Sequence, residues 1–325
     1  GYVGVAFNRI RRGQVERLKN IFPAIFDALN GKMGRSDRAM RIAQADVQAH
    51  LKSIGKTNFT FSLVVATCSR VKPLAYLLQT LRDQTYKQFE TIIVDQNPNG
   101  YLDQLFEDFT DLNLKIVRAE PKGVSQARNA GLQKATGDVV AFPDDDCWYG
   151  PDTLDKVNQV LNANQQLDGL LVGWADCIKT QTTLPVITPV DRIRAFSRAE
   201  TYVQFYRKEA LNGILFDPEL GPGTKLPYGC GEDTDFLLQI IARNKTIGRT
   251  NEVLVYHPKP NLEDHSLLKK TAAYAYGRMR LLQKYNFPLW FKLANVFFPL
   301  FKALQEGRAA WPYRWTMFIN RLKAF

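Results

Sequence analysis

Short apolar runs alternate with amphipathic stretches from Phe59 to about Pro258. The apolar runs predict β-strands at Phe61–Thr67, Thr91–Asp95, Leu114–Val117, Asp138–Phe142 and Leu170–Trp174. Helical spacing predicts helices over Pro73–Asp83, Leu102–Phe109, Val124–Ala135 and Pro151–Asn162. Strands that alternate with helices form βαβ units, so the predicted fold class is α/β, with a mainly parallel sheet flanked by helices. Ligands of such sheets bind beyond the carboxyl ends of the strands, where we expect functional side chains.

Both ends of the chain predict helices in place of further βαβ units. Residues 14–54 have the spacing of basic amphipathic helices, whose apolar face either packs on the main domain or contacts a membrane. Further helices are predicted over Leu267–Lys284 and Leu289–Leu304. Lys292 and Lys302 interrupt the second of these, which favours a helix lying in the membrane interface over one that spans the bilayer.

The charges follow the same division into three parts. Lysine and arginine outnumber aspartate and glutamate by 11 to 4 in residues 1–58 and by 11 to 1 in residues 267–325, whereas the residues between carry 21 against 27. We therefore predict a basic helical N-terminal region (1–58), a central α/β domain (59–265) and a basic, aromatic, membrane-associating helical region (266–325). Basic arms also suit nucleic acid, but their aromatic, amphipathic character fits anionic lipid better.

The cysteines and the first residues bear on location. Cys68, Cys147, Cys177 and Cys230 are scattered without a CxxC pair, which argues against a zinc site and a disulfide framework and favours the cytoplasm. The sequence starts at Gly1 without a methionine, so an upstream segment stays open, but the first twelve residues do not resemble a complete signal peptide.

An acidic cluster, Asp144-Asp145-Asp146, follows the fourth predicted strand. On an extended backbone Asp144 and Asp146 point to one side and Asp145 to the other. Two carboxylates on one side repel each other unless a cation lies between them. A hard divalent cation, Mn2+ or Mg2+, takes oxygen ligands and can also hold a diphosphate. The alternative is an acidic turn without a metal.

Two further segments carry candidate chemistry. Gly229–Asp235 is a glycine-containing loop that enters a helix, and Glu232 or Asp233 can serve as N-cap, as general base, or as both. Gly123–Gly131 is a second loop that enters a helix, whose amino terminus and Arg128 could hold a phosphate.

In this order along one chain, these segments resemble the motifs of family 2 glycosyltransferases with the Rossmann-like GT-A fold. The segments similar to the donor-side motifs are Phe61–Arg70, Gln84–Tyr86, Ile92–Asp95, Ala127–Gly131 and the DxD block Phe142–Asp146. Those similar to the acceptor-side and closing motifs are Phe216–Thr224, Gly231–Phe236 and Val255–Pro258. The resemblance covers about residues 60–260.

The resemblance implies site residues position by position. The matching donor positions are Thr67, Arg70 and Asp95 for the nucleoside, Arg128 and Asn129 for the rest of the donor, and Asp144 and Asp145 of the DxD block, with Asp144 facing the ribose. Asp146 is implied to bind the divalent cation, together with Asp144 and, as a further ligand, His257, for which a purely structural role is the alternative. Asp233 matches the catalytic base, and Glu232 is its neighbour in the acceptor site.

The sequence departs from the family pattern at three positions. Ala66 stands where proline is usual, Gln96 where a second aspartate is frequent, and Cys147 where another aspartate is frequent. The first change leaves a backbone contact intact. Gln96 leaves the nucleotide base open, and Cys147 removes a carboxylate that could support the metal ligands.

The predicted function is metal-dependent, inverting transfer of a sugar from a nucleotide-diphosphate sugar to a saccharide hydroxyl. Tyr274–Arg278, Tyr313–Trp315 and Asn320–Leu322 resemble the tail of bacterial members that build surface polysaccharides on polyprenyl-diphosphate carriers. We therefore expect a lipid-linked acceptor, an anionic membrane surface and no nucleic acid as partners, and a peripheral position on the cytoplasmic face of a bacterial membrane.

Two alternatives remain from the sequence. A sugar-1-phosphate nucleotidyltransferase usually has a glycine-rich basic loop after its first strand, and Cys68–Pro73 contains no glycine. The other alternative is a protein that binds nucleic acid or membrane without transferase activity, which the basic arms alone would fit.

Overall fold

The computed structural model describes residues 58–120, 123–177, 185–197, 199–259 and 265–325. The helices predicted within residues 14–54, and with them nearly all of the N-terminal region, lie outside the described residues.

Nine strands and eight α-helices are assigned within the described residues. The strands are β1 (Phe61–Thr67), β2 (Phe89–Asp95), β3 (Leu114–Arg118), β4 (Val139–Ala141), β5 (Trp148–Tyr149), β6 (Gly169–Ala175), β7 (Thr188–Pro189), β8 (Gln204–Arg207) and β9 (Ile247–Tyr256). The helices are α1 (Val71–Arg82), α2 (Asp103–Glu107), α3 (Val124–Leu132), α4 (Thr153–Ala163), α5 (Glu232–Ala242), α6 (His265–Lys284), α7 (Leu289–Glu306) and α8 (Trp311–Ala324).

The strands form one mixed sheet in the order β3-β2-β1-β4-β8-β6-β9-β5, with β7 paired to β9. The pairs β2–β3, β1–β2, β1–β4 and β6–β9 are parallel. β8 lies antiparallel between β4 and β6 and joins two parallel parts of the sheet. The prediction of an α/β fold with a mostly parallel sheet is therefore confirmed, and the antiparallel β8 is an addition that the apolar pattern does not predict.

The two faces of the sheet are covered by separate apolar cores, because alternate residues of a strand point to opposite faces. On β1, Leu63 and Val65 belong to one core and Val64 to the other, and all three are fully buried. A strand buried on both faces carries a continuous apolar run, which is why β1 and β2 are evident in the sequence.

The C-terminal helices α6, α7 and α8 pack on one another, and α6 borders the loop before α5. Phe287 and Phe291, near the start of α7, contact Phe196 and so join these helices to the core of the central domain. Among the described helices, none is both long enough and apolar enough to cross a bilayer.

Candidate active site

Three strands end at one edge of the sheet and bring the predicted site residues together. Thr67 ends β1 and lies beside Asp95, which ends β2 in the parallel register. β4 ends at Ala141, and the chain continues from there into the acidic cluster. The carboxyl edge of the sheet therefore carries the predicted nucleoside contacts and the acidic cluster side by side.

Asp144, Asp146 and His257 form a candidate metal centre. One ligand atom from each residue lies within 4.8 Å of the others, which gives two carboxylate oxygens and one imidazole nitrogen. Nε2 of His257 is 3.2 Å from a carboxylate oxygen of Asp146. Carboxylate oxygens are the ligands that Mg2+ and Mn2+ prefer, and a neutral imidazole is a common further ligand. The donor set therefore fits the divalent cation that the sequence predicts.

His257 is held in place by its neighbours. Its Nδ1 donates to the carbonyl oxygen of Pro258 at 2.8 Å, which leaves Nε2 next to Asp146. The imidazole stacks on Tyr202, with the ring centroids 4.6 Å apart. Burial by itself lowers the pKa of His257, but the hydrogen bond and charge of Asp146 outweigh burial and raise it. A backbone bond to one ring nitrogen is the usual device that orients the other toward a metal.

Asp145 makes a different set of contacts. It accepts hydrogen bonds from the Thr67 hydroxyl at 2.8 Å and from Arg70 at 3.1 Å, and Arg70 also contacts Asp146. Burial raises the pKa of Asp145 to about 6, although the Thr67 hydrogen bond and the Arg70 charge oppose the rise.

The backbone of the cluster is not the extended strand that the prediction assumed. The amide of Cys147 donates to the carbonyl oxygen of Asp144 at 3.2 Å and closes a turn. This turn, and not a continued strand, places Asp144 and Asp146 together with His257. Cys147 itself is fully buried, which raises the pKa of its thiol well above the usual value.

Arg128 connects the acidic cluster to the start of α5. Its guanidinium donates to Asp144 at 2.6 Å and to Glu232 at 3.3 Å, and the residue is only 3% exposed. Because the buried cation lies between two carboxylates that would otherwise repel each other, it fixes their relative position. The donor-side and acceptor-side motifs are therefore parts of a single site.

Glu232 and Asp233 occupy the first turn of α5. The N-cap is Gly231, with a φ of 101°, so the prediction that either carboxylate is the N-cap is wrong: a glycine takes up the left-handed conformation that this close turn requires. Negative charges in the first turn are stabilised by the helix dipole. The Asp233 carboxylate accepts from the Thr234 amide at 2.6 Å.

Burial raises the pKa of both carboxyl groups. For Glu232 the pKa rises to about 7, because the charge of Asp233 adds to burial while Arg128 opposes it. For Asp233 burial again dominates, and hydrogen bonding by Thr234 and the charge of Arg128 counteract it. Such raised values are typical of carboxyl groups that exchange protons during catalysis.

Two segments predicted to contact the donor also bind the acceptor-side loop. The Asn129 side chain donates to the carbonyl oxygen of Phe216 at 2.8 Å and accepts from its amide at 2.8 Å, so both ends of the side-chain amide bind the Phe216 backbone. The amide of Val124, at the start of α3, donates to the carbonyl oxygen of Pro222 at 3.1 Å. The acceptor-side loop therefore contacts this end of α3 through Val124, and the phosphate contact predicted for the helix start and Arg128 stays a prediction.

Asp95 acts through its neighbours. It is fully buried, contacts Arg118 and accepts from the amide and the side chain of Asn97 at 2.9 and 2.7 Å. Asn97 in turn accepts from the amide of Ser69 at 2.5 Å. Asn97 was not predicted, although its position two residues after the end of β2 could have indicated it.

Tyr202 was also missed. It supports His257, but it lies in a short 3₁₀ segment before β8 and carries no motif that could have shown its role.

Residues 62–185 match the model of glycosyl transferase family 2. Among curated relatives, an amylovoran biosynthesis glycosyltransferase, AmsB of Erwinia amylovora, is 33% identical over 119 residues, covering 34% of this chain and 38% of AmsB. The chain spans about a third of the length of the curated relatives it matches.

Two solved structures share the fold. The mannosyltransferase PcManGT from Pyrobaculum calidifontis, in complex with GDP-Man and Mn2+, has a TM-score of 0.57 at 18% identity, covering 86% of this chain and 91% of its own. Staphylococcus aureus TarS 1-349 in complex with UDP-GlcNAc has a TM-score of 0.52 at 19% identity, covering 82% and 93%. These likenesses show the GT-A fold, and the family match of residues 62–185 together with the order of the motifs supports a family 2 glycosyltransferase.

Proposed function

We propose that this protein is an inverting glycosyltransferase that moves a sugar from a nucleotide-diphosphate sugar to a hydroxyl of a saccharide. The observation that carries the proposal is the double contact of Arg128. It joins Asp144 of the candidate metal centre to Glu232, which is adjacent to the candidate base Asp233. A cation-binding group and a carboxyl group with a raised pKa thus lie in one site, as transfer from a diphosphate leaving group requires.

The donor side is proposed from contacts at the carboxyl edge of the sheet. Thr67, Arg70 and Asp95 are the proposed contacts toward the nucleoside, with Asp95 acting through Asn97. Two related folds support a nucleotide sugar as donor, because one was solved with UDP-GlcNAc and the other with GDP-Man and Mn2+. Asp144, Asp146 and His257 would hold Mn2+ or Mg2+, which when bound supplies positive charge to the departing diphosphate.

Asp233 is proposed as the base because it differs from the adjacent Glu232 in its contacts and exposure. The Glu232 side chain is 11% exposed and forms an ion pair with Arg128, so it positions that arginine. Asp233 is more exposed and forms no ion pair within the described residues. Its raised pKa makes its carboxylate a stronger proton acceptor than an exposed aspartate.

The chemical step is a single displacement. Asp233 takes the proton of the acceptor hydroxyl as the hydroxyl oxygen attacks the anomeric carbon. The new carbon–oxygen bond forms on the face opposite the bond to the diphosphate oxygen, which breaks and releases the nucleoside diphosphate with its electron pair. The configuration at the anomeric carbon is inverted.

A donor screen tests this proposal. Release of nucleoside diphosphate is measured for a panel of UDP- and GDP-sugars, with Mn2+ and with EDTA, using the wild type and Asp146→Asn. We expect release that requires Mn2+ and that Asp146→Asn abolishes. Asp155→Asn, a change on the exposed face of α4, is the matched control and should keep wild-type turnover. Release by the wild type that is the same in EDTA would remove the metal from the proposal.

The membrane part of the proposal comes from the C-terminal helices. Ten large apolar side chains, on α7, on α8 and at Phe325 directly after α8, are more than a third exposed, and we call this set the C-terminal aromatic face. Its members are Leu289, Trp290, Leu293, Phe297, Phe301, Leu304, Trp311, Trp315, Leu322 and Phe325. The buried side of α7 carries Phe291, Val296 and Ala303, so this helix is apolar on its exposed side as well as on its buried side.

Charge indicates which surface covers this face. Residues 267–325 contain 11 basic side chains and 1 acidic one, so the face lies in a strongly cationic region. Exposed aromatic groups beside lysine and arginine are typical of binding to anionic membranes. We infer a peripheral position on the cytoplasmic face of a bacterial membrane and a lipid-linked saccharide acceptor, and AmsB, named for amylovoran biosynthesis, supports a role in surface polysaccharide assembly.

Vesicle flotation tests the membrane inference. The wild type should float with phosphatidylglycerol vesicles, and the double variant Trp290→Ser/Phe297→Ser should lose most of that binding. Tyr76→Ser, a 52% exposed aromatic on α1, is the control and should float like the wild type. If the double variant remains in solution as a monomer where the wild type is a dimer, and neither floats, the face is a contact between two copies of the chain.

A further inference from the structure

Two arginines from different C-terminal helices meet at one asparagine. Nε of Arg278 in α6 donates to the side-chain oxygen of Asn295 at 2.8 Å. Nη1 of Arg321 in α8 donates to the backbone carbonyl oxygen of the same Asn295 at 2.6 Å. Asn295 lies in α7 and is fully buried. We call Arg278, Arg321 and Asn295 the arginine cluster.

Pro299 explains why the Asn295 carbonyl is open to Arg321. In an α-helix this carbonyl would accept from the amide four residues later, and Pro299 has no amide hydrogen. The Asn295 side chain is oriented by its own donation to the carbonyl oxygen of Phe291 at 2.9 Å. The sequence of α7 thus builds a rigid base on which the two guanidinium groups are placed.

The two positive charges have no negative partner among the described residues. Residues 267–325 contain a single acidic side chain, Glu306, and it forms an ion pair with Arg314. Burial lowers the pKa of Arg278, and it lowers the pKa of Arg321 to about 9, with the like charge of Arg278 adding to the effect. Nε of Arg321 is buried and has no hydrogen-bond partner.

Two guanidinium groups that are partly desolvated and close to each other destabilise the fold unless an anion joins them. Backbone carbonyls account for some of their donors, but a carbonyl acceptor needs no positive charge, and neutral side chains would serve it equally well. Each of the two arginines remains partly exposed, so a ligand in solution can reach the cluster.

The arginine cluster borders the acceptor side of the proposed active site. The Cys230 thiol donates to the carbonyl oxygen of Tyr274 at 3.3 Å, which ties the loop before α5 to α6. A Cβ on Gly277 would lie 2.2 Å from the carbonyl oxygen of Cys230, so glycine is needed for this close approach. The charge of Asp233 acts on Arg278 and partly offsets the effect of burial on its pKa.

We propose that Arg278 and Arg321 bind the phosphate or diphosphate group of an anionic acceptor. This inference rests on the proposed transferase function and names the chemical class of its acceptor. Guanidinium groups bind phosphate through paired, charge-assisted hydrogen bonds, and a cluster next to the base would hold the acceptor hydroxyl close to Asp233.

Calorimetric titration with inorganic pyrophosphate in EDTA tests the proposal, because without a divalent cation the metal centre cannot hold the probe. We expect Arg278→Gln and Arg321→Gln each to weaken pyrophosphate binding about 10-fold to 100-fold, the effect of losing charged hydrogen bonds. Arg280→Gln is the matched control, since Arg280 lies on the same helix, is exposed and is near Glu219. Arg70→Gln reports any pyrophosphate that binds at the donor side.

Two results of the titration would overturn the proposal. Equal pyrophosphate affinity for Arg278→Gln, Arg321→Gln and Arg280→Gln overturns the proposal, and so does a loss confined to Arg70→Gln. Circular dichroism and thermal unfolding check that the variants are folded. Arg321→Lys keeps the charge without the planar fork, and its affinity should fall between those of wild type and Arg321→Gln.

Two further measurements distinguish binding of the acceptor from binding of lipid headgroups, and failure of this proposal from failure of the proposed transferase function. Donor hydrolysis without acceptor should be unchanged in Arg278→Gln and Arg321→Gln, and a wild type that neither hydrolyses nor transfers from any donor would instead contradict the transferase function. Flotation with phosphatidylglycerol vesicles should also be unchanged. If both variants keep pyrophosphate binding but lose flotation, the arginines bind membrane headgroups and the acceptor assignment is wrong.

Discussion

Replacement of Arg128 by glutamine is the perturbation that most fully tests how the site is held together. Arg128 is 3% exposed and contacts Asp144 and Glu232, whose side chains are 30% and 11% exposed. Removing one partner of a buried ion pair costs about 3–5 kcal/mol, because the remaining charges stay desolvated. Asp144 is reached by solvent, so we expect the lower end, about 3 kcal/mol, and a fall in Tm of roughly 6–12 °C.

The pH dependence of this loss of folding stability provides a sharper check than the size of the loss. Glu232 has a pKa raised by folding, so its ionised form destabilises the native state once the pH exceeds the unfolded pKa. Without Arg128 the pKa of Glu232 should rise further. Below about pH 7 Glu232 stays protonated in both folded proteins, so the difference in free energy of unfolding between Arg128→Gln and wild type should grow as the pH rises through about 7 and be smaller in acid.

Urea unfolding at several pH values measures both effects. Arg82→Gln is the control, because Arg82 pairs with Asp111 at the surface, where an ion pair contributes about 0–1 kcal/mol. Equal stability of Arg128→Gln and Arg82→Gln at pH 7, or a difference that does not vary with pH, would refute the electrostatic account of the Arg128 contacts.

The remaining predictions concern catalysis and metal binding. Asp233→Asn should lower kcat about 10²–10⁴-fold while the Kd for donor changes little; a variant with normal kcat would remove Asp233 as base. Because the pKa of Asp233 is raised, transfer should fall with decreasing pH at values above the ordinary carboxyl range, and a pH–rate profile flat down to pH 4 would contradict this. Tyr202→Ala, which removes the ring stacked on His257, should weaken Mn2+ binding in calorimetry about 10-fold, whereas the equally aromatic Tyr202→Phe should not. Asn129→Ala should lower Tm but leave donor affinity unchanged, since its amide binds only the Phe216 backbone.

Much of the fold was predictable because the central strands are buried on both faces. The five predicted strands are confirmed with ends shifted by at most two residues. The strands that were missed are short or contain polar positions, such as β8 (Gln204–Arg207), where Gln204 is buried but bonds the Ala199 carbonyl. A buried glutamine satisfied by the backbone cannot be distinguished from a loop residue by periodicity.

The site was predictable where chemistry concentrates in one segment, and less so where segments meet. The acidic cluster is evident in the local sequence, whereas Asp233 was singled out as the base by the resemblance of Gly231–Phe236 to a family motif. The Arg128 contact with Glu232 joins residues 104 positions apart, and no local pattern indicates it. The bonds of Asn129 to the Phe216 backbone could not be predicted either, because a side-chain amide suits a nucleotide and a peptide group equally well.

The stereochemistry of donor hydrolysis tests the central claim most directly, because water then replaces the acceptor, which the test need not identify. The wild type with Mn2+ and an α-linked nucleotide sugar is followed by proton NMR from the first minutes, before the released sugar mutarotates. The proposal predicts that the β-anomer appears first and that Asp233→Asn stops its release. Initial release of the α-anomer, or release that persists unchanged in Asp233→Asn, would contradict an inverting displacement assisted by Asp233.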